Sequence, residues 1–233
     1  MQHWWQQNTR HLSRDWTYRP SYINLHFTTT VDAAGHTFPL AFGVVENEHY
    51  DSWKWFIEQL KKVFDLTGIT VISDRQKGLI KAVGETLQTS AHAFCVKHLA
   101  DNANGKGSKK ARPFIFRLAK CGSKVEYEKL LREMTLVSPV AANYIRNTAE
   151  PHHWVEYQFP GNRCGHVTSN IVECVNACIA EARQLPIYIC LNRLGQCWRD
   201  GLLREEKKHE TYHQLLSAEQ MIFWNRDCYN LEI

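Results

Sequence analysis

A stretch of β period that ends in an acid and runs straight into a stretch of helical period is the feature that most constrains this chain. Residues 69–73 are mostly apolar or β-branched and close on Asp74, and residues 76–87 carry apolar side chains at helical spacing. A strand followed directly by a helix is a building unit of α/β sheets, and ligands and metals gather at the C-terminal edge of such strands. A carboxylate at that edge is placed to hold a hard cation such as Mg2+. Asp74 is also the kind of residue that caps a helix, and taken alone the cap is the simpler reading.

The flanking sequence extends the pattern. Residues 21–31 partly alternate and then present three Thr, which favours a strand. Asp32-Ala33-Ala34-Gly35 predicts a turn, and residues 38–45 a second strand, so the two form a hairpin. Asp51 or Ser52 is expected to cap an amphipathic helix. Its stripe of Trp53, Phe56, Ile57, Leu60 and Phe64 faces a core, while Lys54, Glu58, Lys61 and Lys62 face outward. A further strand is predicted over 91–95. The order β-β-α-β-α-β-α implies a mixed α/β sheet. Beyond a polar, Gly-bearing break at 102–110, helices are predicted near 113–120, 123–134 and 139–147, with no β alternation. A helix is expected over 170–183 and another helical stretch from Pro186.

Two strings and their neighbours carry a family resemblance. Ser73-Asp74-Arg75-Gln76-Lys77-Gly78-Leu79, followed by Phe94-Cys95-Val96-Lys97-His98, resembles the core of Mutator-like element transposases. Phe38-Pro39-Leu40-Ala41-Phe42-Gly43 upstream is similar to the same family, as are Tyr50-Asp51-Ser52-Trp53 and, downstream, Gly165-His166-Val167-Thr168-Ser169-Asn170-Ile171-Val172-Glu173. The resemblance runs, with gaps, from about residue 19 to about residue 193. It implies a ribonuclease-H-like mixed sheet with an α-helical insertion, and a DDE-type site of three carboxylates. It also implies two divalent ions, Mg2+ or Mn2+, and DNA as partner and substrate for cleavage and strand transfer.

Carried over residue by residue, the resemblance makes Asp74 the second acid and Glu173 the third, both as metal ligands. Glu173 has a competing reading, because Asn170-Ile171-Val172-Glu173 has the spacing of a capping box. The first acid has no counterpart. The family places an Asp-Gly-Thr-like motif before the hairpin, yet residues 19–25 resemble the approach to that strand and residues 26–35 already resemble the hairpin. About a dozen residues, with the acid, are missing between them, so the first core strand is expected to be absent or reduced. Asp32 matches the turn acid, and Asp15 matches nothing. A two-metal site without one of its carboxylates should hold metal poorly. The expected function is therefore that of a truncated or degenerate transposase domain. The rival readings are a non-catalytic DNA-binding or regulatory protein of transposase origin and an inert remnant.

Cys95 and His98 belong to the family signature, and Cys164 and His166 form a second pair. Cys-x-His is a tight half-site, so packing of a buried thiol and imidazole is favoured over a Zn2+ centre. Lys106, Lys109, Lys110 and Arg112, with Arg117 and Lys120 beyond, form the densest basic stretch. It is either a phosphate-contacting surface or a solvated loop and helix face. The net charge of +4 permits a polyanion partner without requiring one. Trp4, Trp5, Trp16, Tyr18, Trp53, Trp55 and Trp154 read as core or interface aromatics rather than base-stacking platforms.

With 44% hydrophobic and 22% charged residues the chain can bury a sizeable core. No apolar run is long enough to span a bilayer, and no signal peptide is evident. The eight Cys therefore read as reduced thiols of an intracellular protein that is not secreted; the resemblance adds a nuclear location. The expected organisation is an N-terminal segment at 1–20, a transposase core at 21–105, a helical insertion at 106–160, a helix returning the glutamate at 161–200 and a polar tail at 201–233. A homo-oligomer is left open, and no membrane partner is expected.

Overall fold

A computed structural model describes residues 24–31, 37–104 and 109–169, with residues 180–181, 185, 189–190, 192–193, 196 and 222–224 beyond them. The chain divides into two compact units, residues 1–59 with 171–233, and residues 60–170. The described elements follow the alternation read from the sequence, and the class is α/β.

In the first unit, β1 (Asn24–Val31) and β2 (Thr37–Val45) pair antiparallel, with an irregularity between Thr28 and Thr29. The turn expected at Asp32–Gly35 lies outside the described residues. A third strand, β5 (Ile222–Trp224), runs parallel to β2, so β2 is the middle strand. This explains why Ala41, Phe42, Val44 and Val45 are all buried: a strand flanked on both sides and covered on both faces reads as a continuous apolar run, not as alternation. The run Met221-Ile222-Phe223-Trp224 was the available signal for β5, inside a stretch whose polarity reads as a tail.

Helix α1 (Tyr50–Val63) begins earlier than the expected Asp51 or Ser52 cap. Asn47 Oδ1 accepts from the His49 backbone N–H at 3.1 Å and from Ser52 Oγ at 3.1 Å, so the acceptor that organises the helix start lies upstream. Asp51 instead stands in the first turn, where a negative charge suits the helix dipole. Phe56, Ile57 and Leu60 are buried as the stripe predicted. Phe56 packs over the hairpin at Gly43, where a Cβ would come within 2.7 Å of its ring, so only glycine fits.

His26 of β1 is 1% exposed and stacks on Trp53 with ring centroids 3.5 Å apart. Burial lowers its pKa to about 3 from the usual 6.5. The fold thus selects the neutral ring, while the unfolded chain takes up the proton near 6.5. The stability this contributes is full above pH 6.5 and is lost as pH falls from 6.5 towards 3. Acidification from pH 7 to 5 should remove roughly 2 kcal/mol, read as a lower urea midpoint. His26→Phe, which keeps the stacking surface, should remove that share of the dependence and leave the share of His92, whose pKa burial lowers to about 4; an unchanged pH profile in the variant would show the protons to bind elsewhere.

In the second unit, β3 (Thr70–Ser73) and β4 (Ala91–Phe94) pair in parallel, joined by α2 (Lys77–Thr86). Four helices follow: α3 (Val96–Asn104), α4 (Arg112–Ala119), α5 (Lys124–Val137) and α6 (Pro139–Thr148). Ser123 caps α5 by accepting from the Glu126 backbone N–H, and Pro139 starts α6 where its missing N–H costs nothing. Their apolar faces, with Leu99, Ile115, Leu118, Met134, Ile145 and the fully buried Trp154, make one core. Among the described residues no strand interrupts 109–153. The described strands fall into two small sheets, β1-β2-β5 in the first unit and β3-β4 in the second.

Candidate functional site

Asp74 stands at the C-terminal end of β3, exposed, where the sequence places it. It is not the cap of α2. That role falls to Gln76, whose side chain accepts from the Leu79 backbone N–H at 2.5 Å. Asp74 Oδ1 accepts from the Gln76 backbone N–H at 3.1 Å, an Asx-type turn that orients the carboxylate. The competing reading of Asp74 is thus displaced by two residues.

Beneath this turn the strand pair is tied by side chains. Ser73 Oγ donates to the Asp74 carbonyl at 2.7 Å and lies 2.8 Å from His92 Nε2 on β4. With the hydroxyl proton used on the carbonyl, His92 is the donor and carries its proton on Nε2. Burial, and secondarily the nearby His153, lowers the His92 pKa to about 4, so the ring is neutral at pH 7. His153 Nδ1 lies 2.8 Å from the His92 carbonyl, and its ring stacks on Phe94 with centroids 4.3 Å apart. Arg75, beside the acid, turns to α6: it donates to the Thr148 carbonyl at 2.8 Å and to Tyr144 Oη at 2.5 Å. Sequence reasoning missed Ser73, His92 and Arg75 as supports, because their roles depend on partners far along the chain.

Cys95 is fully buried, and its Sγ accepts from the Ser169 backbone N–H at 3.3 Å. His98 lies half-buried on α3. Cys164 is exposed in a left-handed conformation at φ 48°, and His166 donates its backbone N–H to the Arg163 carbonyl at 2.8 Å. Among the described residues no group of three His, Cys, Asp or Glu is arranged to hold a metal ion. Glu173, Asp15 and Asp32 lie outside the described residues, as does the helix expected over 170–183 for the most part.

Of the basic stretch, Lys106 lies outside the described residues and Lys109 opens a short turn, Lys109–Ala111. Lys110, Arg117 and Lys120 are exposed. Arg112 pairs with Asp101 and lies 5.3 Å from the Phe116 ring; Arg117 lies 5.9 Å from that of Phe114. Arg112 is therefore committed to its own fold more than a sequence count of charges suggests. Trp154 is buried and Trp53 packs on His26, as core aromatics. No helix among the described residues is long and apolar enough to cross a membrane.

Residues 11–102 match a family model described as the MULE transposase domain. The matched segment covers less than half of the chain's length, and over that segment the chain is similar to Mutator-like element transposases. The match takes in the hairpin, α1, β3 with Asp74, and the Cys95 and His98 pair; Glu173 lies beyond it. No curated protein matches the sequence.

Proposed function

We propose that this chain is a DDE-type transposase domain reduced to DNA binding, with metal-dependent cleavage and strand transfer largely lost. One observation carries the reading: an exposed acid at the end of a parallel strand lies inside the segment that matches the transposase family. The element order supports a ribonuclease-H-like core without its first strand. β1 runs unbroken through Leu25 and His26, paired to Val44 and Gly43, at the point where the acid-bearing strand would precede the hairpin.

Mg2+ or Mn2+ would be held by Asp74 and Glu173. The exposed Asp74 carboxylate suits a hard cation, but a lone carboxylate does not organise the octahedral shell that Mg2+ demands. The donors among the described residues do not amount to a two-metal site, and we assign no chemical step to the ions.

DNA binding needs no such site, because lysine and arginine neutralise phosphates directly. Lys110, Arg117 and Lys120 are the side chains we assign to it. Labelled duplex DNA should bind at low salt, with log affinity falling linearly as log salt rises. Replacing the three by Ala together should flatten the slope by about 0.9 for each phosphate no longer neutralised. Failure of the intact chain to bind duplex or single-stranded DNA at about 50 mM salt, where phosphate neutralisation is strongly favoured, would remove the reading.

A further inference from the structure

We propose that Cys95 is a positioning residue whose thiol sets the register of residues 167–169 against the end of β4. It would thereby seat the stretch through which the chain runs on towards Glu173. The purpose of that seat rests on the transposase reading, whereas the seat itself rests on geometry within residues 60–170.

Cys95 stands where three pieces of chain meet. Its backbone N–H donates to the Ser73 carbonyl at 2.7 Å, closing the β3–β4 pair one residue before Asp74. Its carbonyl accepts from the Leu99 N–H at 3.1 Å and so is spent on α3. The Val96 N–H, one of the donors left over at a helix start, goes to the Val167 carbonyl at 2.9 Å. The Ser169 N–H goes to Cys95 Sγ at 3.3 Å. Groups two residues apart on an extended chain face the same side, so the Val167 carbonyl and Ser169 N–H address Cys95–Val96 as a strand would. A regular parallel ladder that pairs the Val96 N–H with the Val167 carbonyl would next pair the Ser169 N–H with the Val96 carbonyl. Val96 opens α3, so its carbonyl is turned into the helix, and the Cys95 thiol stands in for it.

The approach to this seat is fixed from the other end. Arg163 is buried, and the chain turns through Cys164 at φ 48° and Gly165 at φ 79° before Val167 packs on the core. A register held at both ends is what a segment needs if it is to deliver a side chain reproducibly a few residues later.

A cysteine that merely fills space predicts something different. Valine keeps most of the volume and loses the acceptor; serine keeps an acceptor and loses volume. The test is amide hydrogen exchange of Ser169 and Val96 in the intact chain. Ser169 should be protected in the wild type, at least tenfold less protected in Cys95→Val and Cys95→Ala, and restored in large part in Cys95→Ser. An unprotected Ser169 amide in the wild type would overturn the proposal without any variant having to fold. Full protection in Cys95→Val would overturn it as well, and so would equal losses in Cys95→Ser and Cys95→Ala. The measurement uses neither DNA nor metal, so failure of DNA binding would remove the transposase reading and leave this result standing.

Discussion

DNA incubated with this chain and Mg2+ or Mn2+ is expected to be cut and joined no faster than with its Asp74→Ala variant. Two-metal chemistry needs carboxylates that bridge and hold both ions, one activating the attacking oxygen and the other stabilising the leaving one. On the proposed reading only Asp74 and Glu173 stand for family acids, and β1 continues without a break through Leu25 and His26, where that reading expects the first acid. Losing one acidic ligand removes charge that holds Mg2+ against its hydration shell, so metal occupancy and in-line geometry should fall together. Asp74→Ala and Glu173→Ala should therefore change nothing measurable. The assay is cleavage and strand transfer on substrates that include element ends. Robust activity abolished by Asp74→Ala would overturn the expectation. Asp32 and Asp15 would then be the first places to look for a substitute acid.

Arg163→Met should cost about 3 kcal/mol of stability, more than any surface change in this unit. The Arg163 side chain is fully buried. It donates to the Trp154 carbonyl at 2.7 Å, to the Ala119 carbonyl at 2.8 Å, and to Glu156, with Nε at 3.0 Å from Oε2. It joins the end of α4, the 154–159 segment and the loop into Val167. Methionine fills the volume but leaves two carbonyls without their donors, and that penalty is larger than the mean worth of a hydrogen bond. Arg163→Lys should recover little, because an ammonium cannot reproduce the planar fork. Glu156→Gln should cost about 1 kcal/mol or less, since the side chain is half exposed, solvent already screens its charge and the amide oxygen can still accept from Arg163. Calorimetric melting would show a fall on the order of 10 °C for Arg163→Met. A change within about 2 °C would mean that the loop is held by other interactions.

Much of this protein was legible in the residues, because periodicity and caps are local. The order of strands and helices, the Ser123 and Pro139 helix starts, the buried stripe of α1 and the placing of Asp74 at a strand end follow from neighbours a few positions apart. The cap of α2 was open between Asp74 and Gln76, because each can accept a backbone N–H and only the backbone angles choose Gln76. The α1 start was misjudged for a similar reason: Asn47 reaches forward across the turn to Ser52.

Pairings between distant positions were decided only by the tertiary structure. Sequence alone cannot say that β5 lies beside β2, that Ser73 meets His92, or that Arg75 is spent on α6. Nor can it say that the Cys95 thiol receives the Ser169 amide, although the motif drew attention to the cysteine. Composition offered Zn2+ ligation or packing for that thiol, and the fold gave it a backbone donor. The physical reason is common to all these cases. A local pattern fixes backbone angles and apolar faces, while the partner of a hydrogen-bonding group is set by which remote segment the closed core brings within about 3 Å.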